Sequence, residues 1–264
     1  MDIKKFVAIN LNRVFKNHVY VSNHGPAKGL KRRGGLSFLP GFVPRSTEMA
    51  REEAFLEGLN LTGKTVYDIG GDQGIYTLFF ARKVGAQAGR VITFEPNPSS
   101  YEQILTNVGL NNFQHVEVRN VGLGERKGKL TFVFPGSDPG RGTADEKIKA
   151  QILQEKGARA IEVDINTLDE EIVEAKLPPP AFAKIDVEGL EMSVLLGMKQ
   201  TLLEHRPQLF IEIHGADVES KTRNIKQVVS YLLDCRYNIQ HVETGAQITN
   251  DNAPAAKEGH LYCT

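Results

Sequence analysis

Val66-Tyr67-Asp68-Ile69-Gly70-Gly71-Asp72-Gln73-Gly74-Ile75-Tyr76-Thr77 decides the fold. A β-rich run ends in an acid, passes through a glycine-rich turn and enters a helical pattern. Gly70 and Gly74 let the backbone turn tightly and approach a ligand, because they lack the Cβ that would otherwise collide with it. A second run, Val91-Ile92-Thr93-Phe94, leads into Glu95-Pro96. An acid at the end of that strand is placed to accept hydrogen bonds from both hydroxyls of a ribose. Outward from this pair the chain keeps alternating. Thr65–Ile69, Arg90–Phe94, His115–Val118, Ala183–Val187 and Gln208–Ile213 read as strands, with helical patterns at Ile75–Val84, Pro98–Leu110, Leu190–Leu203 and Val218–Leu233. Such alternation predicts βαβ units: an α/β fold with a mostly parallel sheet and helices on both faces. Lys129–Phe134 and Ala160–Ile165 are further β-like runs that either extend the sheet or pair as a hairpin.

The 264 residues suffice for one large α/β domain. We divide the chain into an N-terminal extension or cap at residues 1–60 and a main domain at 61–264. The extension is rich in Gly, Asn, Lys and Arg before an amphipathic pattern from Arg45 to Leu59. Its Arg32 and Arg33 are candidates to face an anionic substrate. Met1–Phe15 reads as a short amphipathic helix or an extended arm, without a signal-peptide core. Pro135–Arg159 breaks the rhythm and has the length of an insert or lid. Lys+Arg and Asp+Glu number 32 each, so there is no basic excess of the kind a nucleic-acid-packing protein needs to neutralise phosphates. Cys235 and Cys263 form no CxxC pair and offer no zinc-ligand spacing, which points to a reducing, cytoplasmic compartment. No apolar run approaches the roughly 20 residues that span a bilayer. Oligomeric state is left open, a homodimer included.

The acids around the turn narrow the ligand. A nicotinamide dinucleotide site wants GxGxxG and a helix N-terminus open to a pyrophosphate. Here the spacing from Gly70 to Gly74 differs, and Asp68 precedes the turn. A carboxylate there would repel a diphosphate but suits the ammonium of an amino acid, which points to S-adenosylmethionine. Two rival readings remain: a nucleotide-dependent oxidoreductase of the NAD type, and a non-catalytic protein that binds S-adenosylmethionine.

Taken together, Tyr67–Thr77, Phe94-Glu95-Pro96-Asn97-Pro98, Asn107, Lys184-Ile185-Asp186-Val187-Glu188-Gly189-Leu190-Glu191 and Ile211-Glu212-Ile213-His214 resemble the FkbM family of S-adenosylmethionine-dependent methyltransferases. The resemblance runs from about Glu52 to His214, and Gly259-His260-Leu261-Tyr262 resembles the end of some members. It implies a class I, Rossmann-like methyltransferase fold and O-methylation of a small molecule or a sugar in a natural product, lipid or surface glycan. It also implies that Asp68 and the loop Gly70, Gly71, Asp72 and Gly74 surround the methionyl part, and that Glu95 holds the ribose. Asn97 then fixes the turn after Glu95, and Asn120 lies on the adenine side. One departure stands out: the family turn commonly reads Asp-x-Gly-Ala-Asn, whereas this chain has Gly71-Asp72. An Asx-type turn remains open to Asp72.

Methyl transfer to an alcohol needs alignment and a group that takes the hydroxyl proton. Asp186 with Glu188, and Glu212 with His214, stand at the predicted ends of two strands, where an open α/β sheet places its ligands. Period-two alternation would put each pair on one face. His214 is the candidate general base, because its ordinary pKa lies near neutrality; a strand-end histidine bonded to backbone is the simpler reading. Asp186, Glu188, Glu191 and Glu212 are also oxygen ligands suited to a divalent cation. Glu191 alternatively serves the dipole of the following helix. Lys184 reads as a buried cation paired with one of these acids.

Overall fold

The computed structural model describes residues 15, 17–34, 47–134, 142, 146–154 and 157–264. The predicted lead-in at Met1–Phe15, apart from Phe15, and residues 135–141, 143–145 and 155–156 of the predicted lid lie outside these residues.

Strands β1 (Val19–Val21) and β2 (Lys31–Arg33) form a separate antiparallel hairpin. They are followed by β3 (Thr65–Ile69), β4 (Arg90–Phe94) and β5 (Val116–Arg119). Next, β6 (Gly122–Leu123), β7 (Gly128–Phe134) and β8 (Arg159–Asn166) make a small sheet of their own, in the order β6-β8-β7. The chain then returns to the main sheet with β9 (Phe182–Ile185), β10 (Gln208–Glu212), β11 (Ile239–His241), β12 (Gln247–Ile248) and β13 (His260–Cys263). The main sheet runs β12-β11-β13-β10-β9-β3-β4-β5. Its segment from β10 to β5 is parallel throughout, and β13 lies antiparallel on β10. From β3 the chain builds outward through β4 and β5, then crosses back to β9 on the other side. The reversal opens a crevice at the carboxyl ends of β3 and β9, the place where such sheets bind ligands.

Local chemistry explains most boundaries. The helix Ile75–Val84 starts at left-handed Gly74 and stops at Gly85. Pro98–Leu110 begins with Asn97, whose side chain accepts the Ser99 N–H, and with proline at the first helical position. Val218–Asp234 starts at a capping box between Asp217 and Ser220. The two faces of the sheet bury Tyr67, Ile69, Ile92 and Phe94 on one side and Val66, Val91, Phe182 and Phe210 on the other.

Several expectations are corrected. The helix predicted over Leu190–Leu203 is two helices, Glu191–Gly197 and Lys199–Glu204. A Cβ on Gly197 would lie 1.9 Å from the Gly124 carbonyl oxygen, so the first helix packs too closely there to carry a side chain. Asp169 accepts the Gln200 and Thr201 N–H groups at the start of the second. Of the two arrangements expected for Lys129–Phe134 and Ala160–Ile165, the antiparallel pairing with each other is the one found, apart from the main sheet. Finally, β9 ends at Ile185, and Glu188 and Gly189 take positive φ values of 52° and 99°. Strand alternation therefore does not set the direction of Glu188; a left-handed turn does.

Candidate active site

Absent side chains shape the glycine turn. Gly70 has φ 88°, and a Cβ there would lie 1.9 Å from the Asp186 carbonyl oxygen. At Gly71 a Cβ would lie 2.4 Å from Thr93 Cγ2. The Gly70 and Gly71 N–H groups both donate to the Phe94 carbonyl, at 3.0 and 3.2 Å, which ties the turn to the end of β4. Asp72 sits at φ 44°, and its N–H donates to Glu95 Oε2 at 2.8 Å. The Asn97 N–H donates to Glu95 Oε1, also at 2.8 Å. The Glu95 carboxylate is thus aimed by two main-chain donors. Burial nevertheless pushes its pKa up to about 8, outweighing both hydrogen bonds.

The other predicted cofactor residues divide by position. Gly70, Asp72, Glu95 and Asn97 line a cavity of about 260 Å³. Gly71 and Gly74 are not among the lining residues and pack instead against Ile104, which a Cβ would approach to 2.9 and 3.1 Å. The Asn120 amide donates to the Glu95 and Pro96 carbonyls at 2.9 and 3.1 Å, so it braces the acid's turn, while neighbouring Gly122 lines the cavity. Asp68 is fully buried behind the turn, where its Oδ2 accepts the Thr77 hydroxyl at 2.7 Å. Burial lifts its pKa to about 6 against the pull of Lys184 and Thr77.

At the far end of the cavity the second group converges. His214 Nε2 lies 3.3 Å from Glu212 Oε1, 3.8 Å from Asp186 Oδ1 and 4.0 Å from Glu188 Oε2. Its Nδ1 lies 3.2 Å from Glu191 Oε1, and Glu191 is fully buried and also accepts the Gly189 N–H. Glu191 therefore orients the imidazole as well as standing in the first turn of its helix. Lys184 is buried with Nζ 2.8 Å from Asp186 Oδ2 and 4.6 Å from the Tyr76 ring centroid, the predicted ion pair. Burial works against charge on His214, but the hydrogen bonds to Glu191 and Glu212 and the charges of Asp186 and Glu212 outweigh it and raise the pKa to about 11. The near-neutral value expected of this histidine does not hold, and the ring rests as an imidazolium. Asp186, Glu212 and His214 bring ligand atoms within 4.8 Å of one another, a set that suits a divalent cation once His214 has given up its proton.

Two features went unread in the sequence. His260, on β13, pairs in register with Glu212; its Nδ1 lies 2.7 Å from Glu243 Oε1 and its Nε2 3.7 Å from Glu212 Oε2. No local pattern places a carboxy-terminal strand beside β10. Phe132 and Phe134, with Val163 and Ile165, give the cavity an apolar part of its lining. Their period-two spacing was a usable signal for a shared face.

Comparisons with known proteins agree with this geometry. A family profile described as the methyltransferase FkbM domain matches residues 68–239. Methyltransferase 1 from Beauveria bassiana is 30% identical over 147 residues, covering 50% of this chain and 57% of that protein. The hexuronic acid methyltransferase AglP of Haloferax volcanii is 26% identical over 163 residues, 61% of each chain. This chain thus spans less than two thirds of either relative. The solved structure of an FkbM methyltransferase from Methylobacillus flagellatus KT shares the fold, with a TM-score of 0.50 and 21% identity over 79% of this chain and 45% of that one. Among the described residues, no helix is long and apolar enough to cross a membrane.

Proposed function

The chain belongs to the FkbM methyltransferase family and carries the class I methyltransferase fold, and from that premise we propose that it transfers a methyl group from S-adenosylmethionine to a hydroxyl oxygen on a small molecule or sugar. One observation carries the proposal: a single cavity runs from the Glu95 carboxylate past Gly70 to Asp186, Glu188, Glu212 and His214. The residues fit this donor. Glu95 offers a carboxylate to two ribose hydroxyls, and Gly70 opens the turn to close approach. Among the described lining residues there is no lysine or arginine of the kind that a diphosphate would favour. When bound, S-adenosylmethionine supplies a methyl group on a sulfonium, whose thioether is the leaving group.

The chain's own work is alignment, exclusion of water and removal of one proton. Alignment alone supplies about 7–11 kcal/mol in well-oriented reactions. The proton that a hydroxyl acceptor must lose would pass to one carboxylate, that of Asp186 or of Glu188. His214 already holds a proton, so its part is to fix these acids and the acceptor oxygen, and it becomes the base only after giving that proton up. Phe132 and Phe134 of β7, with Val163 and Ile165 of β8, form the acceptor side. A sugar acceptor agrees with the name of AglP, a hexuronic acid methyltransferase.

Incubation with S-adenosylmethionine and a panel of hydroxylated acceptors, uronic acids included, tests the reading, with the methylated atom identified by NMR. Methylation on nitrogen, stabilisation by NAD alone, or cofactor binding without transfer to any acceptor would each overturn it in a distinguishable way. His214→Ala is expected to lower turnover by about 10²-fold or more while S-adenosylhomocysteine affinity stays within about twofold; full activity removes the histidine from the mechanism. A second reading adds a divalent cation at Asp186, Glu212 and His214, motivated by the spacing of their ligand atoms. Turnover that survives a strong chelator excludes it.

A further inference from the structure

We propose that Arg32, on a hairpin outside the segment matched by the family profile, is a positioning residue of the cofactor site: it holds the Asp72–Gln73 limb of the glycine turn so that the Asp72 N–H stays on Glu95. The proposal rests on the reading of Glu95 as the ribose acceptor.

The β1–β2 hairpin has two unlike faces. Val19 and Val21 are exposed, while Tyr20 and Arg32, cross-strand partners, are buried at 7% and 2% exposure. A buried guanidinium is costly unless its surroundings compensate it. Arg32 turns toward the glycine turn, where Nη2 donates to Gln73 Oε1 at 3.4 Å. Burial lowers its pKa, and the Tyr20 and Asp72 charges oppose that shift, which puts Asp72 within its electrostatic reach.

Asn107, fully buried, fastens the same limb from the other side. Its Oδ1 accepts the Arg33 N–H at 2.8 Å, and its Nδ2 donates to the Gln73 carbonyl at 3.0 Å. Asn111 adds two bonds to the Lys31 backbone, at 2.9 and 2.8 Å. The free edge of β2 is thus paired with amide side chains of the helix Pro98–Leu110. One residue beyond this double anchor, Asp72 occupies a left-handed conformation that a non-glycine residue adopts at some cost, and its N–H reaches the Glu95 carboxylate. The basic N-terminal flank therefore sends one of its cations into the cofactor side of the molecule.

The test is a double-mutant cycle on the full chain, read as S-adenosylhomocysteine affinity by calorimetry, with thermal melts to verify folding. Arg32→Met is expected to weaken binding about tenfold, yet to change it less than about twofold in a Glu95→Ala background, where there is no carboxylate left to position. A residue that merely supports packing would cost the same in both backgrounds, and that result overturns the proposal, as does wild-type affinity in Arg32→Met. If Arg32→Met does not fold, Gln73→Leu removes the acceptor of the Arg32 bond and takes its place in the cycle with the same expectations. Wild-type protein that binds no S-adenosylhomocysteine, or Glu95→Ala that binds it normally, removes the ribose reading and this proposal with it. Normal wild-type binding lost in Glu95→Ala but unaffected by Arg32→Met removes only the role of Arg32.

Discussion

Replacing Gly70 by alanine adds one methyl group where β3 leaves the sheet, and the cost has two separable parts. Holding an alanine at φ 88° costs about 1–2 kcal/mol, because Cβ crowds the following carbonyl in left-handed backbone. The new Cβ would also lie 1.9 Å from the Asp186 carbonyl oxygen, so the turn and the end of β9 must part by more than about an ångström to reach ordinary contact. Two main-chain bonds resist that movement: Gly70 N–H to Phe94 and Asp186 N–H to Ile69, both 3.0 Å. Losing one costs about 0.5–1.5 kcal/mol. The sum is about 1.5–3.5 kcal/mol, which lowers the melting temperature by on the order of 10 °C in a domain of this size. Gly63→Ala is the control, since Gly63 has φ 71° but meets only Ala88 Cβ, at 3.8 Å. It carries the conformational part alone. Differential scanning calorimetry reads the stabilities, and titration with S-adenosylhomocysteine reads the site. Gly70→Ala should melt below Gly63→Ala and bind at least about tenfold more weakly, because Asp186 and the turn move apart. If the two variants melt together and bind alike, the turn does not need its approach to the Asp186 backbone, and the account of the site's assembly is wrong.

Two further predictions concern pH. Only the ionised Glu95 carboxylate accepts from both ribose hydroxyls, and burial holds its pKa up at about 8. S-adenosylhomocysteine affinity should therefore fall as pH drops below about 8, by up to tenfold per unit; Glu95→Ala should bind at least about tenfold more weakly with that dependence gone, and a flat wild-type profile counts against the assignment. Asp68 keeps its proton to about pH 6 in the folded chain but releases it near 3.9 when unfolded. The folded state binds more protons in that window, so stability falls as pH rises from about 4 to about 6, by on the order of 3 kcal/mol from this group. Denaturant unfolding of Asp68→Asn should lack that share of the decline, and an unchanged pH profile would contradict it.

What was legible in the sequence follows from how local each cause is. Ile75–Val84 and Pro98–Leu110 were read to the residue because Gly74, Gly85, Asn97 and Pro98 mark their ends through their own backbone chemistry. The strands leading to Asp186 and Glu212 were legible, but their ends were not: β9 stops at Ile185 and β10 at Glu212, short of the expected Val187 and Ile213. His214 was placed correctly near these acids, but its protonation was not, because three carboxylates brought together by folding, Glu191, Glu212 and Asp186, set it. Likewise β13 joins the sheet through a partner some fifty residues away in sequence, a pairing that no window contains.

The charge pattern shows where such reading misleads. In sequence the acids mark strand ends and Lys28, Lys31, Arg32 and Arg33 gather in a flank, which suggests an acidic cofactor site beside a basic acceptor site. Folding mixes the two. Lys184 is buried against Asp186, His214 holds a proton among the acids, and Arg32 turns away from solvent toward Asp72 and Gln73. Each buried cation cancels part of the negative field that a sulfonium would meet. The electrostatic part of the discrimination between S-adenosylmethionine and S-adenosylhomocysteine, which differ by the sulfonium methyl group and its charge, should accordingly be modest. Arg32→Met should widen it: both ligands bind more weakly as the turn loosens, but the cationic one loses less because a compensating positive charge has gone. Equal losses for the two ligands would mean that the field of Arg32 does not reach the cavity and that it acts through the geometry of the turn alone.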